Sequence, residues 1–241
     1  MICYIPSKNR PNTKTHLLFK NANIKVIHFL EPNDYEKYDV PYKVNIKQTN
    51  KGISFVRNFM LDYAKTNNHK WVIFSDDDIT AFGIYNGKTS TKDANIWHEI
   101  YAKAQKLPFE IYGINYVQHA WHEKNSYSIN RKYVEVCVLV NVEKIKWGYV
   151  KGMKQDRQFC METIRNGYGI VKFNHFWFRC PTVGTNKGGL YENYENKEDY
   201  ISAQRLVKEY YPYAKLNKKN NRIDAKLDVA GFAKSLNKII K

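Results

Sequence analysis

The chain has 241 residues, 43% hydrophobic and 15% aromatic, with 39 Lys and Arg against 23 Asp and Glu, a formal net charge of +16 and a pI near 9.5. Length and composition describe a globular chain with room for one large α/β unit, and they exclude a disordered or fibrous protein. The basic surplus points to a polyanionic partner, either nucleic acid or a phosphorylated ligand.

In chain order, the apolar start "ICYI" reads as a strand and breaks at Pro6, too early for the apolar core of a signal peptide. A helix is expected near Pro11 to Asn21, then strands at "IKVIHFL" and "YKVNI". Between Gly52 and Thr66, the residues Ile53, Val56, Met60, Tyr63 and Ala64 recur at helical spacing, and "KWVIF" follows as a strand. This βαβ alternation predicts a parallel, doubly wound sheet with its ligand crevice beyond the carboxyl ends of the strands. Downstream come a helical candidate from Thr91 to Leu107, strand-like runs "FEIYGINYV" and "YVEVCVLVNV", a helix from about Gln155 to Asn166, and the strand "GIVKFNHFWF". A helix is expected from Asn196 to Tyr211, followed by the basic, Asn-rich stretch "YAKLNKKNNRIDAK", read as a linker, and a last amphipathic stretch. The domain reading is 1–211 for the main unit, with a nucleotide-binding half of about 1–107 and an acceptor half of about 108–211, and 212–241 for a basic linker and C-terminal helix.

Cys3, Cys137, Cys160 and Cys180 lie far apart without a CxxC pair, so neither a zinc knuckle nor a disulfide framework is indicated. With no apolar run of membrane-spanning length, the expectation is a cytoplasmic protein, in the host cytoplasm if phage-encoded, with no membrane contact and no obligate protein partner. His119 and His122 in "QHAWHEK" lack a third ligand, "WHEIYA" lacks the second His of a metalloprotease, and "GTNKGGLY" lacks the ending of a P-loop.

The stretch "KWVIFSDDDITAF" carries the main chemical signal. Asp76, Asp77 and Asp78 follow a strand that reads as fully buried, so their mutual repulsion falls at the crevice edge and calls for a cation. If the chain stays extended, Asp76 and Asp78 point to the same side, and their hard oxygens suit Mn²⁺ or Mg²⁺ completed by phosphate oxygens. A solvated turn is the alternative.

"SDDD" after an apolar strand resembles the Asp-x-Asp signature of nucleotide-sugar glycosyltransferases with the GT-A fold, with "IPSKNRP" and "GISFVRN" standing in the same order as in that group. With "RNFMLDYA", "VIFSDDD" and a basic tail, the pattern is similar to the TET-associated glycosyltransferase family and related phage DNA base glycosyltransferases. The resemblance implies a mixed, mostly parallel α/β sheet flanked by helices, with a small C-terminal helical extension. It implies a UDP-sugar donor, a metal on Asp76 and Asp78 with His175 as an additional ligand, and Pro6, Ser7, Arg10, Arg57, Asn58, Asp76 and Asp77 around the nucleotide. In "KGMKQDRQFCMETIRNGYG", Gln155-Asp156 stands where inverting members carry Glu-Asp, leaving Asp156 as candidate base, with a helix N-cap as its alternative. Lys187 is a candidate counter-charge to donor phosphates. The implied acceptor is DNA bearing 5-hydroxymethylcytosine or 5-hydroxymethyluracil. Competing readings are a transferase acting on surface polysaccharide or protein, a nucleotidyltransferase, and a non-catalytic DNA-binding module.

Overall fold

In the computed structural model, residues 1–182, 185, 188–219 and 222–239 are described. The first half contains β1 (Ile2–Ser7), α1 (Thr15–Asn21), β2 (Val26–Leu30), α2 (Pro32–Tyr35), β3 (Lys43–Asn45), α3 (Ile53–Thr66), β4 (Trp71–Ser75), β5 (Ala81–Tyr85), β6 (Ser90–Lys92) and α4 (Ile96–Ala104). The second contains β7 (Ile111–Tyr116), α5 (Val117–Ala120), β8 (Tyr127–Ile129), β9 (Cys137–Asn141), a 3₁₀ turn at Val142–Lys144, α6 (Gln155–Arg165), β10 (Ile170–Arg179), α7 (Tyr191–Glu195) and α8 (Glu198–Glu209). The chain then forms β11 (Ala214–Lys219), β12 (Arg222–Leu227) and α9 (Val229–Ser235).

Ten strands form one sheet in the order β3-β2-β1-β4-β9-β7-β10-β5-β6, with β8 beside β10. Seven strands share one direction, while β9, β5 and β8 run against them. The sheet is therefore mixed and mostly parallel, flanked by helices, rather than purely parallel.

The apolar strand runs are continuous because both faces of the sheet are covered. Ile2, Tyr4, Val72, Phe74, Val138 and Val140 join one core with residues of α3, α6, α8 and α9. Their neighbours one step along, Cys3, Ile5, Ile73, Cys137 and Leu139, join the other with Phe19 of α1 and Trp97 and Ile100 of α4. Period-two alternation thus divides each strand between two cores. At Gly83 of β5 a Cβ would lie 2.2 Å from the Trp177 ring of β10, so only glycine lets the two strands close over that indole.

Two expectations need correction. The stretch from Thr91 to Leu107 begins with the end of β6 and becomes helical only at Ile96. The basic segment read as a linker is an antiparallel hairpin, β11–β12, which packs on α8 through Ala214 and Ala225. Small side chains buried at alternate positions hold it, and the intervening Lys and Asn residues hide that pattern in the sequence.

Candidate functional site

Chain order reverses between β1 and β4, which lie side by side and parallel. Such a switch point opens a crevice at the carboxyl ends of the strands. The register Tyr4↔Phe74 carries forward three residues to set Ser7 beside Asp77, and the Ser7 hydroxyl does donate to Asp77 Oδ2. A cleft of about 1130 Å³ opens there, and its lining includes Pro6, Ser7, Arg10, Asp76, Asp77 and Asp78. The lining continues through Glu135 and Asp156, which lie close to Asp76 and Arg57, and through Tyr116, Tyr133 and Asn217 and Lys226 of the hairpin. A cavity of this volume exceeds what a single drug-sized ligand fills and has room for more than one group at once.

The loop after β1 is pinned from below. Tyr38 Oη accepts from Arg10 N at 2.8 Å and lies 2.8 Å from Ser7 Oγ, while Asp34 Oδ2 accepts from Asn9 N at 2.8 Å. So held, Arg10 donates Nη1 to Asp77 Oδ1 at 2.8 Å and to Asp78 Oδ2 at 3.2 Å, and Nη2 to the Gly188 carbonyl at 3.1 Å. Asp77 is thereby committed at both oxygens, one to Arg10 and one to Ser7.

Arg57 reaches up from α3 and donates Nη2 to Asp76 Oδ1 at 2.7 Å. Burial works against the Arg57 charge, but Asp76, Tyr149 and Asp156 outweigh it and raise its pKa. The Asp76 carboxyl is pushed up to about 7, chiefly by desolvation; Arg57 opposes the rise, and repulsion from Asp78, Asp156 and Asp77 adds to it. Its side chain keeps 36% exposure, so solvent screens part of that repulsion.

Asn58 does not face the cleft. Its amide clamps the backbone of Tyr149, accepting from Tyr149 N at 2.7 Å and donating to Tyr149 O at 2.8 Å. Consecutive residues on a helix point about 100° apart, so Arg57 and Asn58 do not both reach the cleft. The clamp still serves the site indirectly: Tyr149 stacks on Phe159 at 4.1 Å and lies under the Arg57 guanidinium at 5.4 Å.

His175 is not brought to the acidic trio either. Its Nε2 pairs with the Glu123 carbonyl oxygen at 2.9 Å, its ring meets Tyr85 edge-on, and it is not among the residues lining the cleft. It lies four residues short of the end of β10, roughly 13 Å along a strand, and Arg179 and Cys180 occupy the edge instead. Lys187 lies outside the described residues.

Asp156 opens α6, accepts from Arg157 N at 2.8 Å, and faces the cleft. Beside it stands a residue that the motif reading missed. Glu135 borders a void of about 10 Å³ together with Asp156, Arg57 and Tyr149. Burial chiefly raises the Glu135 pKa, Arg157 opposes this, and Asp156 adds to it. The available sequence signal was one acid inside the apolar run "YVEVCVLVNV".

The frame around α6 is ionic. Lys154 Nζ and Arg157 Nη1 meet Asp224 Oδ1 of β12 at 2.7 and 2.9 Å, Arg157 Nη1 also reaches the Ala225 carbonyl at 3.0 Å, and Arg157 Nε faces Glu135 Oε2 at 3.5 Å. The C-terminal hairpin is thus tied to the helix that presents Asp156.

Among the described residues no three His, Cys, Asp or Glu side chains converge as a ready-made metal cage, and no helix is long and apolar enough to cross a membrane. Asp76 and Asp78 nevertheless fit a hard divalent cation through their oxygen donors and, at Asp76, a carboxylate whose charge its surroundings leave under-compensated. Asp77 does not fit, because both its oxygens are engaged, nor does His175, which is set back along β10.

Similarity to solved structures is remote. The crystal structure of A197 from STIV is 13% identical with a TM-score of 0.45, covering 75% of this chain and 85% of that one. Mannose-1-phosphate geranyltransferase from Thermus thermophilus is 7% identical with a TM-score of 0.39, covering 98% of each chain. No curated protein matches. The model for TET-associated glycosyltransferases matches residues 1–189, a span that includes the pinned first loop, the acidic trio and the helix bearing Asp156, and the chain belongs to that family.

Proposed function

We propose that the protein moves a sugar from a nucleotide-sugar donor, a UDP-sugar, to the hydroxymethyl group of 5-hydroxymethylcytosine or 5-hydroxymethyluracil in DNA, with Mn²⁺ or Mg²⁺ at Asp76 and Asp78. Membership of a glycosyltransferase family supports the reaction class, and the basic surplus supports a nucleic-acid acceptor. The observation that carries the reading is the convergence of the β1 loop, the acidic trio and Asp156 on one cleft of about 1130 Å³ at the switch point.

Each residue then has a task. The Ser7–Arg10 loop, held by Tyr38 and Asp34, shapes the nucleotide wall. Arg10 and Arg57 stand where negative charge develops on a departing diphosphate and stabilise it from fixed positions. A cation bound at Asp76 and Asp78 supplies further neutralisation of that leaving group. Asp156 accepts the proton of the acceptor hydroxyl in an inverting transfer, kept at the cleft by the first turn of α6 and its ionic frame.

The decisive assay incubates the protein with Mn²⁺, a panel of nucleotide sugars, and DNA with or without hydroxymethylpyrimidines, followed by mass analysis of the digested nucleosides. A hexose or pentose mass on modified DNA alone is the expected result. Transfer to glycans or peptides with DNA untouched, or incorporation of a nucleotide in place of a sugar, overturns the proposal.

A further inference from the structure

The family match ends at residue 189, yet the cleft wall continues beyond it into β11–β12. In this antiparallel pair, Lys215 lies directly opposite Lys226 and Asn217 directly opposite Asp224. Alternation puts these four on one face of the ribbon, and three of them, Asn217, Asp224 and Lys226, line the cleft. The opposite face carries Ala214 and Ala225 into the core. The hairpin is therefore docked by one face and offers the other to whatever occupies the acceptor side.

The electrostatics of that offered face are unfavourable in isolation. Like charges directly opposite one another on a ribbon destabilise it. Residues 214–227 contain five basic residues and a single acid, Asp224, which Lys154 and Arg157 already engage. Lys215, Asn217 and Lys226 are exposed. A row of two cations and an amide at the rim of an acceptor cleft is matched by a chain of phosphodiesters, whose spaced single charges fall between opposed lysines.

Resting on the glycosyl-transfer reading above, we propose that the Lys215–Asn217–Lys226 face of the hairpin seats the phosphate backbone of the acceptor nucleic-acid strand, bringing its target base over the cleft. Asp224 acts as the anchor that aims this face, and the seat itself reads backbone rather than sequence.

The test measures oligonucleotide binding by fluorescence anisotropy across a salt series for the full chain, for Lys215→Gln/Lys226→Gln, and for a control pair on α1 and α3, Lys20→Gln/Lys65→Gln. UDP binding is followed in parallel. Two lost phosphate contacts lower the slope of log K against log salt by about 1.8 on duplex, or about 1.4 on single strands, and weaken binding near 0.1 M salt on the order of tenfold or more. The expected result is that change in the hairpin variant, with UDP affinity retained and the control pair close to wild type. An unchanged slope in the hairpin variant, an equal fall in both variants, or equally tight binding of polyglutamate overturns the proposal. If no sugar donor modifies any DNA but the slope falls as stated, the seat stands and the transfer reading fails; if transfer occurs and the slope does not move, the seat fails alone.

Discussion

Replacing Asp224 with Asn tests whether the C-terminal hairpin is a working part of the site's frame. Burial alone would raise the Asp224 carboxyl, but Arg157 and Lys154 outweigh it and bring it from its ordinary 3.8 down to about 2. A drop of that size corresponds to roughly 2 kcal/mol of stability at neutral pH. Solvent reaches 26% of the side chain, and discounting for that screening leaves about 1–2 kcal/mol. Because the folded pKa lies below the unfolded one, this contribution is complete above about pH 4 and is lost as pH falls towards 2. Urea melts between pH 7 and pH 2 should show Asp224→Asn weaker by about 1–2 kcal/mol at pH 7, with a melting temperature lower by about 2–8 °C. The difference from wild type should shrink at the acid end. A variant within about 0.3 kcal/mol of wild type at pH 7, or one that keeps the same gap at pH 2, would refute the reasoning.

Asp76→Asn and Asp78→Asn should each lower the rate of sugar transfer on the order of 10²-fold or more, and each should reduce the rise in melting temperature that Mn²⁺ gives the parent protein. Arg10→Lys replaces a fork that serves Asp77, Asp78 and the Gly188 carbonyl with one ammonium, so steady-state kinetics should show the donor KM rising about tenfold with a smaller change in kcat. Asn58→Ala should cost about 1–3 kcal/mol in denaturant melts by freeing the Tyr149 backbone, and change donor affinity less than Arg57→Ala does. His175→Ala should leave Mn²⁺ affinity, measured by calorimetry with UDP present, within about twofold of the parent value, because the ring serves the Glu123 carbonyl.

The strands that line the switch point were readable because burial on both faces writes an uninterrupted apolar run, as in "ICYI" and "KWVIF", and α3 was readable from its 3.6-residue period. β5 was not, since "AFGIY" is stabilised by pairing with β10, which lies far along the chain, and by an indole packed over Gly83. The hairpin was hidden for a related reason: among its described residues only Ala214 and Ala225 are buried, and the Lys and Asn residues between its apolar positions read as a solvated loop. In the site, the position of Ser7 beside the trio follows from strand register, whereas the directions of Asn58 and His175 do not follow from their motif. One is rotated off the cleft by the turn of its helix, and the other is set back along its strand. Glu135 becomes visible only when β9 brings its preceding loop against the start of α6.

A chain with a net charge of +16 gathers three aspartates at one strand end because the surrounding fold balances most, but not all, of their charge. Among the described residues, Arg10 spans Asp77 and Asp78 and Arg57 meets Asp76, while Asp156 adds to the repulsion at Asp76. Asp77 is the structural member, closed by Ser7 and Arg10, and it holds the two strand ends together. Asp76 and Asp78, on either side, are the members with chemistry to offer. The mutual repulsion of these acids favours a cation at the floor of the cleft, while the same two arginines and the basic rim favour anions above it. If the proposed reading holds, such a site would bind cation and diphosphate more readily together than either alone, since each ligand relieves the repulsion that the other meets. On the proposed reading, that coupling puts the acids and the basic surplus in one design: the first would recognise an activated donor, and the second would draw in a polyanionic acceptor.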